Sequence, residues 1–377
     1  MDKLNFPKNF LFGSATSAHQ VEGGLNNDWT RWEKKAGKIF DGSTSKIAAD
    51  SWNCWSKDIQ LLKNSGQNAY RFSIEWSQIE PQEGEFDIAA IKHYRQMIDE
   101  LVKNDITPMA TLFHFTCPLW IDDAGGVAGK KFALTFTRFA EKMAAEFGDK
   151  IKLWSLLNEP TVYVNAGYFQ ARWCPGKKNI IAGIRAFLNL ISAQRKSYLA
   201  MKKADSTIKV GIAMNMTAFR PKNDSFCSRQ LTRFFRWITN EFFINRVRNC
   251  LDFLGINFYS SYQVQCKKPF LSGKIADGLY QIVIENRHWN LPIYITENGL
   301  PDEDDVDRQK FIVDALSQLS RVIGDGTDLR GYFHWSLIDN FEWASGYSMK
   351  FGLHDINRHP RKSAEIYRKM ILENRHR

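Results

Sequence analysis

Apolar and polar positions along this chain switch repeatedly between two periods. Short runs rich in β-branched and aromatic residues predict strands at 10–16, 69–74, 107–113, 153–157, 209–214, 253–258, 292–296 and 330–335. Between them a helical period takes over, near 50–65, 87–104, 131–147, 180–204, 229–249, 278–289, 303–323 and 361–373. Several buried stripes are explicit. Ile91, Tyr94, Ile98 and Leu101 step by three, four and three; Phe132, Phe136, Phe139 and Met143 step by four, three and four, as do Ile312, Leu316, Leu319 and Ile323. The acidic run Asp302-Glu303-Asp304-Asp305 suits a helix N-terminus, and Gly324 offers a stop at the other end.

Strand followed by helix, eight times over, calls for a parallel sheet, and eight such units close into a (β/α)8 barrel. A doubly wound open sheet is the alternative. It would need a glycine-rich phosphate turn opening a helix, whereas Gly13-Ser14-Ala15-Thr16 lacks that pattern and is followed by no helix start. No linker, internal repeat or low-complexity tract divides the chain, so residues 1–377 read as one domain.

Composition narrows the choices further. A length of 377 residues fits two or three small domains, but α/β barrels reach it as one. The 12 Trp and 27 Phe read first as core, with flat sugar-stacking platforms as the second use. A net charge of +10 comes from basic residues scattered in pairs such as Lys34-Lys35, Lys130-Lys131 and Lys177-Lys178. With no arm or stripe of them, nucleic acid is not an expected partner. The six cysteines form no Cys-x-x-Cys pair, and no His is spaced to complete a zinc site, so they read as free thiols in a reducing compartment. The segment Met1–Pro7 has no apolar run behind a basic start, and no stretch of 18 apolar residues occurs. A cytoplasmic protein without a membrane partner is the expectation.

The polar residues at the strand ends carry the chemistry. In a barrel the C-terminal strand ends form the active face. Those ends here read Gln20 (a little beyond the first strand), Arg71 and Glu75, His114, Asn158-Glu159, Asn215, Asn257 and Tyr259, Glu297-Asn298, and Trp335. Ordinary loop polarity would supply Ser, Asp, Gly and Lys instead. Carboxylates after strands four and seven face each other across such a mouth, and paired carboxylates suit glycoside cleavage. No metal or organic cofactor is then called for.

Six motifs resemble glycoside hydrolase family 1, the β-glucosidase and β-galactosidase family, in the family's order. They are Phe12-Gly13-Ser14-Ala15-Thr16-Ser17-Ala18-His19-Gln20-Val21-Glu22-Gly23, Tyr70-Arg71-Phe72-Ser73-Ile74-Glu75-Trp76, Thr111-Leu112-Phe113-His114-Phe115, Leu157-Asn158-Glu159-Pro160, Ile295-Thr296-Glu297-Asn298-Gly299, and the run from Trp335 to Trp343. The resemblance implies a retaining β-glycosidase acting on β-glucosyl, β-galactosyl or β-fucosyl residues of a small glycoside or oligosaccharide. It assigns Glu159 as acid/base and Glu297 as nucleophile, supported by Arg71, Asn257 and Tyr259. Gln20, His114, Asn158, Trp335, Glu342, Trp343 and Phe351 match residues that grip the sugar. Glu342 stands where members acting on 6-phosphosugars carry Ser, which favours a neutral glycoside.

The chain is short for that family. About thirty residues separate Arg220 from Leu251, the segment 266–278 is reduced, and Gly273 stands roughly where many relatives have a Trp. Both losses fall on the leaving-group side, which predicts a wider outer subsite. A catalytically impaired, sugar-binding relative is the alternative function. Retention of both glutamates weighs against it, and the presence of Glu159 also weighs against a thioglucosidase.

Overall fold

In the computed structural model, which describes residues 4–273 and 276–374, eight parallel strands form the inner ring. They are β1 (Leu11–Ala15), β2 (Ala69–Ser73), β3 (Thr107–Phe113), β4 (Leu153–Asn158), β5 (Lys209–Pro221), β6 (Phe253–Val264), β7 (Ile293–Asn298) and β8 (Leu329–Trp335). Each pairs in parallel with its sequence neighbours, β8 pairs with β1, and the sheet closes. The expected (β/α)8 barrel is therefore present as a single unit.

The outer layer consists of α1 (Ser51–Asn64), α2 (Ile88–Lys103), α3 (Phe132–Phe147), α4 (Ile180–Ala204), α5 (Phe226–Arg236), α6 (Gly278–Asn286), α7 (Asp307–Gly324) and α8 (Lys362–Asn374). The stripes read from the sequence lie against the sheet: Ile91, Tyr94, Ile98 and Leu101 of α2 and Phe132, Phe136, Phe139 and Met143 of α3 are all buried. Ile312, Leu316 and Leu319 of α7 are fully buried, but at the last turn Val322 takes the inner position and Ile323 is half-buried. Inside the ring, Ala15, Ala69, Met109, Phe253, Tyr294, Phe333 and Trp335 fill the barrel. At Gly211 a Cβ would lie 2.6 Å from the Phe253 ring, so the smallest residue is required there.

Four expectations need correction. The acidic run precedes α7 instead of forming its first turn. Asp305 adopts a left-handed conformation and pairs with the buried Arg308 at 2.7 Å, while Asp302 accepts from the Arg308 backbone N–H at 3.0 Å. The carboxylates thus serve a buried guanidinium and a cap, a tertiary use that periodicity does not register. The helix expected at 229–249 is interrupted: α5 ends at Arg236, a π-helical turn spans Trp237–Glu241, and short turns follow to Cys250. A four-residue helix, Ala18–Val21, does follow β1, three residues beyond its end.

The cysteines are the fourth. Cys227 and Cys266 form a disulfide with Cα atoms 6.0 Å apart, leaving Cys54, Cys117, Cys174 and Cys250 as thiols among the described residues. The pairing is made by β5 and β6, which run in register well past the barrel, from Thr217 opposite Ser260 to Pro221 opposite Val264. A two-residue strand, Leu271–Ser272, pairs antiparallel to the end of β6. Residues 274 and 275 of the shortened segment, and Met1–Lys3 of the N-terminal reading, lie outside the described residues. Among the described residues no helix is long and apolar enough to cross a membrane.

Candidate active site

Strand irregularities shape the mouth. Register shifts occur between Ser155 and Asn158 on β4, between Ile256 and Asn257 on β6, and between Ile295 and Asn298 along β7 and β8. Shifts of this kind re-aim side chains at a barrel rim. Strand β4 ends at Asn158, and Glu159, with φ 44° and ψ 54°, stands at the N-cap of a short helix with Pro160 in its first turn. Its N–H is fixed by the Ala213 carbonyl at 2.7 Å. A non-glycine residue held left-handed at a strand end is a constrained position, and such positions cluster at functional sites.

Glu297 sits on β7 and is 4% exposed. Arg71, itself 1% exposed, donates from Nη1 to Glu297 Oε1 at 2.5 Å, and Tyr259 donates from its hydroxyl to Glu297 Oε2 at 2.8 Å. Arg71 is held by its other bonds, from Nε to Thr111 Oγ1, from Nη1 to the Thr296 carbonyl and from Nη2 to Asn158 Oδ1 at 2.7 Å. Tyr259 keeps about a third of its surface exposed, 37%, while its hydroxyl points into this buried network.

Glu159 has a different set of partners. Asn215 and Asn257 donate to its Oε1 at 3.0 and 2.8 Å, and among the described residues no cation forms an ion pair with it. Burial, and then the charge of Glu297, push its carboxyl up to about 7. Burial also raises the Glu297 carboxyl, but there the Arg71 charge and the Tyr259 hydrogen bond pull in the opposite direction. The two carboxyls titrate as a pair. The guanidinium favours the ionised form at Glu297, and two neutral amides leave Glu159 as the proton holder.

One amide nitrogen, Asn257 Nδ2, donates to Glu159 Oε1 at 2.8 Å and to Asn158 Oδ1 at 3.0 Å, the same oxygen that Arg71 holds, so a short chain of bonds runs from Glu159 to the guanidinium on Glu297. Asn257 is itself held by Thr296, whose hydroxyl donates to its Oδ1 at 2.7 Å.

A second cluster flanks the carboxylates. The Trp335 indole N–H donates to Glu342 Oε1 at 2.9 Å. Burial pushes the Glu342 carboxyl up to about 7, opposed by hydrogen bonds from Trp335, Asn340 and Gln20. Gln20 also donates to Asn340 Oδ1 at 2.8 Å and accepts from the Ser17 hydroxyl. His114 joins the clusters: its Nε2 meets the Asn158 amide at 3.0 Å, and its ring lies 5.9 Å from Trp335 at 28°. Burial and the Arg71 charge hold that imidazole well below its usual pKa, so it is neutral. Trp343 packs nearly parallel to His19, 5.3 Å away, and Phe351 meets Tyr259 edge-on at 6.2 Å.

A family model described as glycosyl hydrolase family 1 matches residues 2–249 and 272–376. The chain belongs to this family. The unmatched segment, 250–271, carries Asn257 and Tyr259, yet the geometry ties both to the carboxylates. A 1,4-beta-D-glucan glucohydrolase from Thermotoga neapolitana is 31% identical over 412 residues, spanning 92% of this chain and 97% of that protein. Beta-glucosidase 47 of Arabidopsis thaliana is 31% identical over 461 residues, spanning 99% and 86%. Both alignments are longer than the chain, so the relatives carry segments it lacks. A solved beta-glucosidase from Thermotoga maritima in complex with glucoimidazole superposes with a TM-score of 0.92 at 28% identity, covering 98% of this chain and 99% of that one.

Within the family-1 frame, the residues singled out in the sequence divide into three groups. Arg71, Asn158, Glu159, Asn257, Tyr259, Glu297 and His114 form one connected network, and Gln20, Trp335 and Glu342 form the adjoining one. Trp343 and Phe351 are packed against these groups. Glu75, named with the rim, is turned aside: it accepts from Asn27, Ser77 and Thr116 and caps a short helix. Thr111, Thr296 and Asn340 were missed, and Asn215 was named without a role. Thr111 and Thr296 stand on strands inside quoted motifs, Thr296 directly before Glu297, and that placement was the available signal.

Proposed function

We propose that this protein is a retaining β-glycosidase that removes terminal β-D-glucosyl, β-galactosyl or β-fucosyl residues. The observation that carries the reading is the asymmetry of the two carboxylates: among the described residues Glu297 is bonded by a cation and a phenol, and Glu159 by two neutral amides. Glu297 attacks the anomeric carbon as Glu159 donates its proton to the departing glycosidic oxygen. The glycosyl–Glu297 ester forms and the aglycone leaves as its alcohol. Glu159, now ionised, takes a proton from water, which attacks the same carbon and releases the sugar with its configuration retained. In this reading Asn158, which precedes Glu159 and is held by Arg71, contacts the 2-hydroxyl, and Gln20 and Glu342 receive hydroxyls on the far side of the ring.

Hydrolysis of 4-nitrophenyl β-D-glucoside, galactoside and fucoside, followed by NMR of the first-formed anomer, tests this directly. The β-anomer is expected first, with activity lost in Glu297→Ala. Azide added to Glu159→Ala is expected to restore turnover and yield the β-glycosyl azide. An α-configured first product, or Glu297→Ala turning over like the unaltered enzyme, would overturn the assignment.

A further inference from the structure

Beside Glu159 the molecule has an apolar groove of about 640 Å³ that the sugar-gripping residues do not use. Its walls come from α4, where Ile184, Phe187 and Leu188 share one face, from Val162 and Phe169 after β4, and from Phe242 after α5. Ile184 and Leu188 are 51% and 55% exposed, high values for aliphatic side chains set side by side. Arg246 is the one charged residue among the described lining residues, and its guanidinium is occupied: it donates to the Phe242 carbonyl at 2.6 Å and stacks 3.5 Å from that ring.

Two independent features tie the groove to catalysis. Asn215 belongs to both places, lining the groove and donating to Glu159. Thr161 and Val162, two and three residues after Glu159, line it as well. In addition, both π-helical turns among the described residues border it. The turn Asn165–Phe169 supplies Asn165 and Phe169, and the turn Trp237–Glu241 supplies Ile238 and Thr239. Such turns rotate side chains out of helical register and recur at functional sites. Gly183 assists the first: a Cβ there would meet the Phe169 ring at 2.3 Å.

We propose that this groove is the aglycone site and that it takes a long alkyl chain, making β-glycosides of long-chain alcohols the favoured substrates. The inference rests on the glycosidase reading and deepens it. Glu159 protonates the leaving oxygen, so the leaving group departs on the side where Asn215 stands. The surface it meets there is aliphatic and phenylalanine-lined, with few groups to pair with the hydroxyls of a second sugar. The volume lies well within the ~300–1,000 Å³ of small-molecule sites. It leaves room for a flexible chain beyond a single ring.

Calorimetric binding of methyl, hexyl, octyl and decyl β-D-thioglucosides, below their micelle concentrations, tests the groove without requiring turnover. Affinity is expected to rise two- to fourfold per added methylene, since a fully buried methylene contributes about fourfold. In Ile184→Asp and, separately, Leu188→Asp, the decyl-to-methyl affinity ratio is expected to fall at least tenfold. Both residues are half-exposed, so neither change empties the core. Affinity that does not change with chain length, or a ratio unchanged in both variants, would overturn the proposal. Hydrolysis of the oxygen-linked series separates the two readings: binding that lengthens with the chain but no cleavage of any glucoside would reject the catalytic assignment and keep the groove. Higher kcat/KM for methyl than for decyl glucoside, two alkoxide leaving groups of similar basicity, would reject the alkyl chain as occupant.

Discussion

Replacing Glu159 by Gln should make the protein more stable at alkaline pH while removing its activity. Burial, and then the Glu297 charge, raise the Glu159 carboxyl from 4.5 to about 7. In the unfolded chain the group returns to its ordinary value. The folded state therefore binds this proton more tightly, and the associated stability is fully present below about pH 4.5. It is lost as the pH rises through about 7, where the folded carboxyl ionises. At about 1.4 kcal/mol per tenfold change in proton affinity, the loss is about 3 kcal/mol by pH 8. Glutamine keeps an acceptor oxygen for Asn215 and Asn257 and never ionises, so it is spared that loss. Unfolding entropy of about 2.1 cal/mol/K per residue gives roughly 0.8 kcal/mol/K for a chain of this size. The variant should then melt about 3–4 °C above the unaltered protein at pH 8 and within about 1 °C of it at pH 4.5. Melting curves followed by circular dichroism at the two pH values decide the matter. An equal shift at both, or a lower melting point for the variant at pH 8, would refute the account of Glu159 as a carboxyl kept protonated by its surroundings.

Three other substitutions probe the same structure. Arg71→Met leaves Glu297 buried without its cation, so stability at pH 7 should fall by about 3–5 kcal/mol. The loss should shrink toward pH 4, as the carboxyl takes up a proton, and denaturant unfolding at both pH values reads it. Tyr259→Phe removes one hydrogen bond to a charged oxygen, worth about 1.5–3 kcal/mol, so kcat on a nitrophenyl glucoside should drop roughly 10- to 150-fold. The acidic limb of the pH profile should move upward because Glu297 becomes harder to ionise; an unmoved limb would count against Tyr259 as its stabiliser. Serine at both Cys227 and Cys266 opens a loop with a sequence separation of 39 residues, and about 3–4 kcal/mol of stability should go with it. Mass spectrometry after alkylation without reductant should find two thiols fewer in the unaltered protein than in a reduced sample.

How far the sequence could be read depended on whether a feature was local. The stripes of α2 and α3 repeat within a few turns, and the eight-fold strand–helix alternation is a one-dimensional pattern, so both were visible. Arg71, Asn158, Glu159 and Glu297 were visible for a second reason: each stands in a short motif at a strand end. What escaped was set by three-dimensional neighbours. Asp302 and Asp305 look like a helix start until Arg308 is found buried beside them. Glu75 has the same strand-end position as its rim companions, but Asn27 and Thr116 draw it away. The Cys227–Cys266 bridge depends on β5 and β6 continuing together past the barrel, and the break in the 229–249 helix on how Trp237–Glu241 packs.

The shortened outer segments and the intact carboxylates are compatible because they belong to different layers. Arg71, Thr111, Asn158, Asn215, Asn257, Tyr259, Thr296 and Glu297 all stand on barrel strands, and Glu159 directly follows one. Their positions are set by the ladder that closes the sheet, and their orientations by register shifts within it. Removing loop residues above the barrel leaves those constraints untouched. In the function proposed above the loops have a different task, to wall the space that the leaving group would enter, and there a shorter chain changes the surface itself. Ile184 and Leu188 of α4 and Ile238 of the turn after α5 remain partly exposed beside that space. A substitution on a strand should therefore alter kcat and the pH profile for every substrate. One on Ile184 or Leu188 should alter only how aglycones are ranked.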